Sequence, residues 1–162
     1  MSSGLIFVII GAALAAALPG IGSARGTGMV GQAAAGVITE DPSKFGKVLI
    51  MQVLPGTQGL YGFLTAILLL NNTGVLGGGF DPSVITVEKG IAYFCACLPM
   101  ILVGYFSAIA QAKTAAAGVN MIAKRPDQSG KGIIFAAMVE TYAVLSLLTS
   151  LLAIIQIGNV TL

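Results

Sequence analysis

Charge is almost excluded from four long stretches of this chain. Met1–Ala24, Val48–Phe80 and Gly90–Ala112 contain no Asp, Glu, Lys or Arg, and Gly132–Leu162 contains a single one, Glu140. Each stretch exceeds the roughly 20 apolar residues that carry a helix across about 30 Å of hydrocarbon. With 56% hydrophobic residues, 9% charged residues and a mean hydropathy of +0.95, 162 residues offer too little polar surface to enclose a water-soluble core. Alternating strand-like patterning is absent, and Ala, Leu and Gly dominate. Helices rather than a barrel therefore satisfy the backbone, and the expectation is an all-α membrane protein with four transmembrane helices.

No Lys or Arg precedes Arg25, so the basic leader of a cleaved signal peptide is missing and the first span is expected to stay. Arg25, Lys44, Lys47, Lys113, Lys124, Arg125 and Lys131 lie in or towards two connections, and Lys89 belongs to the other side. The positive-inside rule then makes the loops near Pro42 and Pro126 cytoplasmic and leaves both termini and the Asn71–Glu88 connection outside.

The resulting two hairpins are copies of one another. Ala33-Ala34-Ala35-Gly36-Val37 recurs as Ala115-Ala116-Ala117-Gly118-Val119, and the loop from Glu40 to Lys47 is echoed by that from Lys124 to Lys131. Duplication divides the chain into a first hairpin, residues 1–80, and a second, residues 81–162. At an offset of 84, Thr57 aligns with Thr141 and Gly56 aligns with Glu140. One hairpin has the carboxylate where the other has glycine. Repeats in membrane proteins place functional sites at their junction.

Small residues crowd the first helix of each hairpin: Gly20, Gly22, Gly26, Gly28 and Gly31 in one, and Ala108, Ala110, Ala112 and Ala115 to Gly118 in the other. They let backbones approach closely where lipid removes the hydrophobic drive for association. The glycine run follows no strand and lacks a Walker Lys-Ser/Thr, so it is not a phosphate loop.

A carboxylate at Glu140 costs about 2.5–3.5 kcal/mol on insertion scales and requires a partner or a purpose. Leu54, Thr57, Gln58 and Tyr61 are spaced to share one helical face, and Pro55 frees backbone oxygen by withholding a donor from Met51. Gln58 lies 16 residues after Pro42, Gln111 lies 15 before Pro126 and Glu140 lies 14 after it, which puts all three about 21–24 Å from the loop apices. A hydroxyl, two amides and a carboxylate thus share one level. Lys113 offers a competing buried pair with Glu140, but it points about 200° away from Gln111, so both cannot face the carboxylate. The ion site is preferred because it gathers all four polar groups, which leaves Lys113 and Arg25 on the inner face of the small-residue helices.

The segments Leu54 to Gly62, Ile109 to Lys113 and Phe135 to Ala143 resemble the proteolipid (c-type, or K) subunit of V-type ATPases, especially the bacterial sodium-pumping kind. The resemblance spans essentially the whole chain, and none of the quoted positions departs from the sodium pattern. It implies a homo-oligomeric rotor ring turned by ATP hydrolysis in a peripheral head, so the chain is not an enzyme by itself. It implies Na⁺ held by Glu140, Thr57, Gln58, Gln111 and the backbone oxygen of Leu54, with Tyr61 hydrogen-bonded to the carboxylate. Implied partners are identical subunits, a stator subunit with an arginine, a central-stalk subunit at the cytoplasmic loops, and lipid, with no nucleic acid; the implied location is a bacterial plasma membrane. Hard cations require several oxygens, which favours Na⁺. The alternatives are a proton carrier that uses Glu140 alone and a structural pore or scaffold ring.

Other features carry less. Cys95 and Cys97 are expected as free buried thiols on different faces, and the absence of His removes a common proton relay. Asn71-Asn72-Thr73 and Asn159-Val160-Thr161 match a glycosylation pattern of low specificity, and Asn71 to Asp81 is expected as a flexible outer loop.

Overall fold

The computed structural model describes residues 3–77 and 85–159, and those residues form helices joined by short turns. Helix α1 spans Ser3–Glu40, α2 Phe45–Val53, α3 Thr57–Asn72, α4 Val87–Lys124 and α5 Ser129–Asn159. A single 3₁₀ turn at Leu54–Gly56 joins α2 to α3, so the two act as one span, and four spans are long and apolar enough to cross a membrane. The expected boundary between the hairpins, at residues 80 and 81, lies outside the described residues, as does most of the second glycosylation match.

Two helices are much longer than their uncharged cores. α1 and α4 each run for 38 residues, about 57 Å, so both project well beyond the hydrocarbon. Neither stops at Arg25 or Lys113, because no proline follows either residue until Pro42 and Pro126. The outer connection is shorter than expected: Asn71 and Asn72 complete α3, and the turn begins at Thr73 with Gly74 at φ 75°, where a side chain would be strained.

α1 and α4 make the most extensive contact in the molecule, and the hairpins consequently share their core. One buried cluster joins Val8, Ala12 and Ala15 of α1 to Leu69 of α3, Tyr93 and Cys97 of α4 and Ile154 of α5. A second joins Val30 and Ala34 to Val48, Met51, Ala112, Ala115, Val119 and Ala136. The α1–α4 contact is close because glycine removes the side chain at the crossing. A Cβ on Gly22 would lie 2.8 Å from the Tyr105 carbonyl oxygen, and one on Gly26 would lie 2.9 Å from Pro55 Cβ. The cysteines divide differently from expectation: Cys97 is buried, whereas Cys95, about 200° round the helix, is exposed.

The turns at the other end tie the hairpins together. Asp41 accepts from Ser43 Oγ at 2.6 Å and from the Ser43 amide at 3.1 Å, and these bonds hold its carboxyl below the usual range. Lys44 lies 3.4 Å from the same carboxylate and also donates to the Ala123 carbonyl at 2.9 Å, while Lys47 donates to the Pro126 carbonyl at 3.0 Å. Lys44 thus satisfies a carbonyl in the last turn of α4, where the helix dipole favours positive charge, and Lys47 one in the turn that follows.

The glycine contacts make a paired prediction. Gly22→Ala places a methyl against the α4 backbone, and overpacking of about 1–3 kcal/mol outweighs the gain in helix propensity of about 1 kcal/mol. Gly28→Ala, which meets nothing within 4 Å, keeps the gain. The thermal unfolding temperature of the detergent-solubilised protein should fall for Gly22→Ala and rise slightly for Gly28→Ala.

Candidate functional site: a carboxylate and two amides at the hairpin junction

The break in the second span comes from Pro55. Its missing amide interrupts the ladder, the chain tightens into a 3₁₀ turn, and α3 restarts at Thr57. Thr57 Oγ1 donates to the Leu54 carbonyl at 3.1 Å and lies 3.4 Å from Gln58 Oε1, so three oxygens from consecutive turns meet. Just beyond, the Gly59 amide donates to Ser23 Oγ of α1 at 2.8 Å, which anchors the restarted helix.

α4 and α5 bring the rest. Gln58 Nε2 donates to Gln111 Oε1 at 2.6 Å, and Gln111 Nε2 donates both to Glu140 Oε2 and to the Ala136 carbonyl, each at 3.2 Å. Tyr61 Oη donates to Glu140 Oε1 at 2.7 Å. Both carboxylate oxygens therefore accept a hydrogen bond, one from each hairpin. Gln58 and Gln111 are fully buried, which makes this pairing obligatory, because an unmatched amide in such surroundings costs about 1–3 kcal/mol.

All the residues expected to converge do so as one connected set: Leu54, Thr57, Gln58, Tyr61, Gln111 and Glu140. The equal depths of Gln58, Gln111 and Glu140 are realised as direct contacts. Lys113 is exposed, and among the described residues the ion pair is Lys44–Asp41, so Glu140 has no lysine partner. Arg25 is also exposed and donates to Tyr105 Oη at 2.9 Å. Glu140 itself is only half-buried. It lines a groove of about 400 Å³ with Ala137, Thr141, Val144 and Leu145, so the carboxylate opens sideways onto the outer face of α5.

Two contributors escape sequence reasoning. The Ala136 carbonyl has no side-chain signature, and its role follows only from the line of Gln111 across α5. Ser23 carries a faint signal, a hydroxyl in a run of small residues. What identifies it is the tertiary position opposite the helix break.

The amide pair should behave as a unit. Gln111→Leu strands the buried Gln58 amide and should destabilise by about 1–3 kcal/mol, whereas Gln58→Leu combined with Gln111→Leu should cost less than the sum of the two single changes. A double-mutant cycle of thermal unfolding checks it, and strict additivity would show the pair to be uncoupled.

Known proteins agree with this architecture. The family model for the C subunit of ATP synthase matches the chain twice, over residues 10–69 and 94–153, two segments offset by the same 84 residues as Thr57 and Thr141. The chain is 48% identical over 155 residues to the V-type sodium ATPase subunit K of Enterococcus hirae, covering 96% of this chain and 94% of that protein. It is 40% identical over 157 residues to the A-type ATP synthase subunit K of Methanocaldococcus jannaschii, covering 96% of this chain and 66% of that protein. A duplicated four-span chain with one carboxylate at the hairpin junction, matched along nearly its whole length, belongs to the ATP synthase C-subunit family, as a rotor proteolipid of the V/A type.

Proposed function

We propose that this protein is the ion-carrying subunit of a rotor ring, binding Na⁺ at Glu140 and moving it across the membrane as the ring turns with ATP hydrolysis. The observation that carries this is the continuous polar set from Leu54 to Glu140. A proton needs one carboxylate, whereas a desolvated Na⁺ needs several oxygens at once. Thr57 Oγ1, Gln58 Oε1 and the Leu54 carbonyl already lie together, and the Gln58–Gln111 amide pair connects them to the carboxylate. The sodium ATPase relative supports the same choice of ion.

Electrostatics supplies the mechanism. Na⁺ on one carboxylate is net neutral and passes along the lipid-facing rim at low cost, while an ionised Glu140 without its cation does not. The exposed groove beside Glu140 is where a stator subunit with an arginine would meet that ionised form and force exchange. Membrane potential then biases each step by about 2.3 kcal/mol per charge per 100 mV. Residues 1–80 serve as the hairpin without a carboxylate and 81–162 as the ion-bearing one, which gives one ion per four helices. The basic loops near Pro42 and Pro126 face the cytoplasm of a bacterial cell and meet a central-stalk subunit there, and both termini lie outside.

Carbodiimide labelling of Glu140 in the assembled complex tests the ion. Labelling at constant pH should slow as Na⁺ is raised; a response to pH alone would reassign the site to protons. Glu140→Gln should abolish ion-coupled ATP hydrolysis, and retention of coupling would leave only a scaffold role.

A further inference from the structure

Tyr142 poses a problem that the ion site does not absorb. It lies two residues beyond Glu140, at the same depth, with 66% of its surface exposed, and among the described residues its phenol makes no hydrogen bond. A phenol facing hydrocarbon without a partner leaves a strong donor unsatisfied. Met138 and Leu145 are exposed on the same flank of α5.

The internal repeat indicates what covers that flank. At the offset of 84, Met138, Thr141, Tyr142 and Leu145 correspond to Leu54, Thr57, Gln58 and Tyr61. The correspondence is structural as well: Thr141 Oγ1 donates to the Met138 carbonyl at 2.7 Å, as Thr57 Oγ1 does to the Leu54 carbonyl at 3.1 Å. Within the chain, the Leu54–Tyr61 face is the one that docks on the second hairpin, with Gln58 on Gln111 and Tyr61 on Glu140. The counterparts of Gln111 and Glu140 in the first hairpin are Thr27 and Gly56, and a Cβ on Gly56 would meet only Thr27 Cγ2, at 3.6 Å. Gly56 therefore leaves room for a side chain. Among the described residues no hydrogen bond joins Tyr142 to Thr27 within the chain, and a second copy can supply it.

We propose that the junction between copies repeats the junction between hairpins, with Tyr142 of one copy seated against Thr27 of the next and Leu145 over its Gly56. The Thr27 hydroxyl donates to the Ser23 carbonyl at 3.0 Å, so its oxygen is left to accept from the Tyr142 phenol. This rests on the ring assembly proposed above and adds its register. It also assigns a role to the missing carboxylate: glycine at position 56 turns what would be a second ion site into a packing contact, closed by Leu145 and Tyr142 in place of a cation.

Photo-cross-linking in the intact membrane complex tests the register, with benzoylphenylalanine in place of Tyr142. Adducts between two copies that map to Thr27, Gly56 or residues within one turn of them are expected. Adducts to this chain elsewhere, to another protein or to lipid alone would overturn the proposal. If the bulkier ring prevents assembly, Thr27→Cys combined with Tyr142→Cys and a short bifunctional thiol reagent should give an oligomer ladder absent from either single variant, and no ladder would overturn it. Na⁺ protection of Glu140 is read independently, so a wrong register and a wrong ion assignment give different results.

Discussion

A carboxylate at bilayer depth must be compensated, and the structure is arranged around how Glu140 is. Each of its oxygens accepts one hydrogen bond, from Tyr61 of the first hairpin and from Gln111 of the second. Gln111 is in turn held by Gln58 and by the Ala136 carbonyl. Because these groups are neutral, they orient the carboxylate without cancelling its charge. A lysine partner would have cancelled it and left a static pair, and Lys113 stands at the surface instead. The carboxylate is thereby left to the cation proposed above.

That arrangement requires two hairpins to approach closely, and the approach depends on what is absent. Gly22 and Gly26 let α1 lie against α4, and the same crossing brings Pro55 against α1 at the break in the second span. Pro55 has two effects at once. It tightens the chain so that the Leu54 carbonyl meets the Thr57 hydroxyl, and it presents Gln58 towards α4 from the restarted helix. Ser23 then holds the first turn of α3 through the Gly59 amide, so the bend is set by packing from α1 as well as by proline.

Much of this is legible in the residues because lipid leaves few solutions. Apolar runs of spanning length, an 84-residue repeat and a single intramembrane acid point to helical hairpins with a site at their junction, and counting residues from the loops puts Gln58, Gln111 and Glu140 at one level. Less legible is where helices end. α1 and α4 continue far past Arg25 and Lys113, since no proline interrupts them until Pro42 and Pro126, and Asn71 and Asn72 close α3 rather than opening a loop. Cys95 is exposed against expectation for a related reason: hydropathy measures lipid compatibility, and in a membrane both the core and the outer surface are apolar.

Taken alone, the sequence determined the solvent, the number of spans, the duplication and the identity of the one ionisable group at depth, because those follow from composition and spacing. Only the tertiary structure decided which donor meets which oxygen, that Ala136 and Ser23 take part, that Lys113 does not, and that the Tyr142 phenol on the flank of α5 has no partner among the described residues. Residue spacing sets depth and helical face, but hydrogen bonds depend on the rotation and crossing of neighbouring helices, and those are set by the glycine and proline contacts between chain segments far apart in sequence.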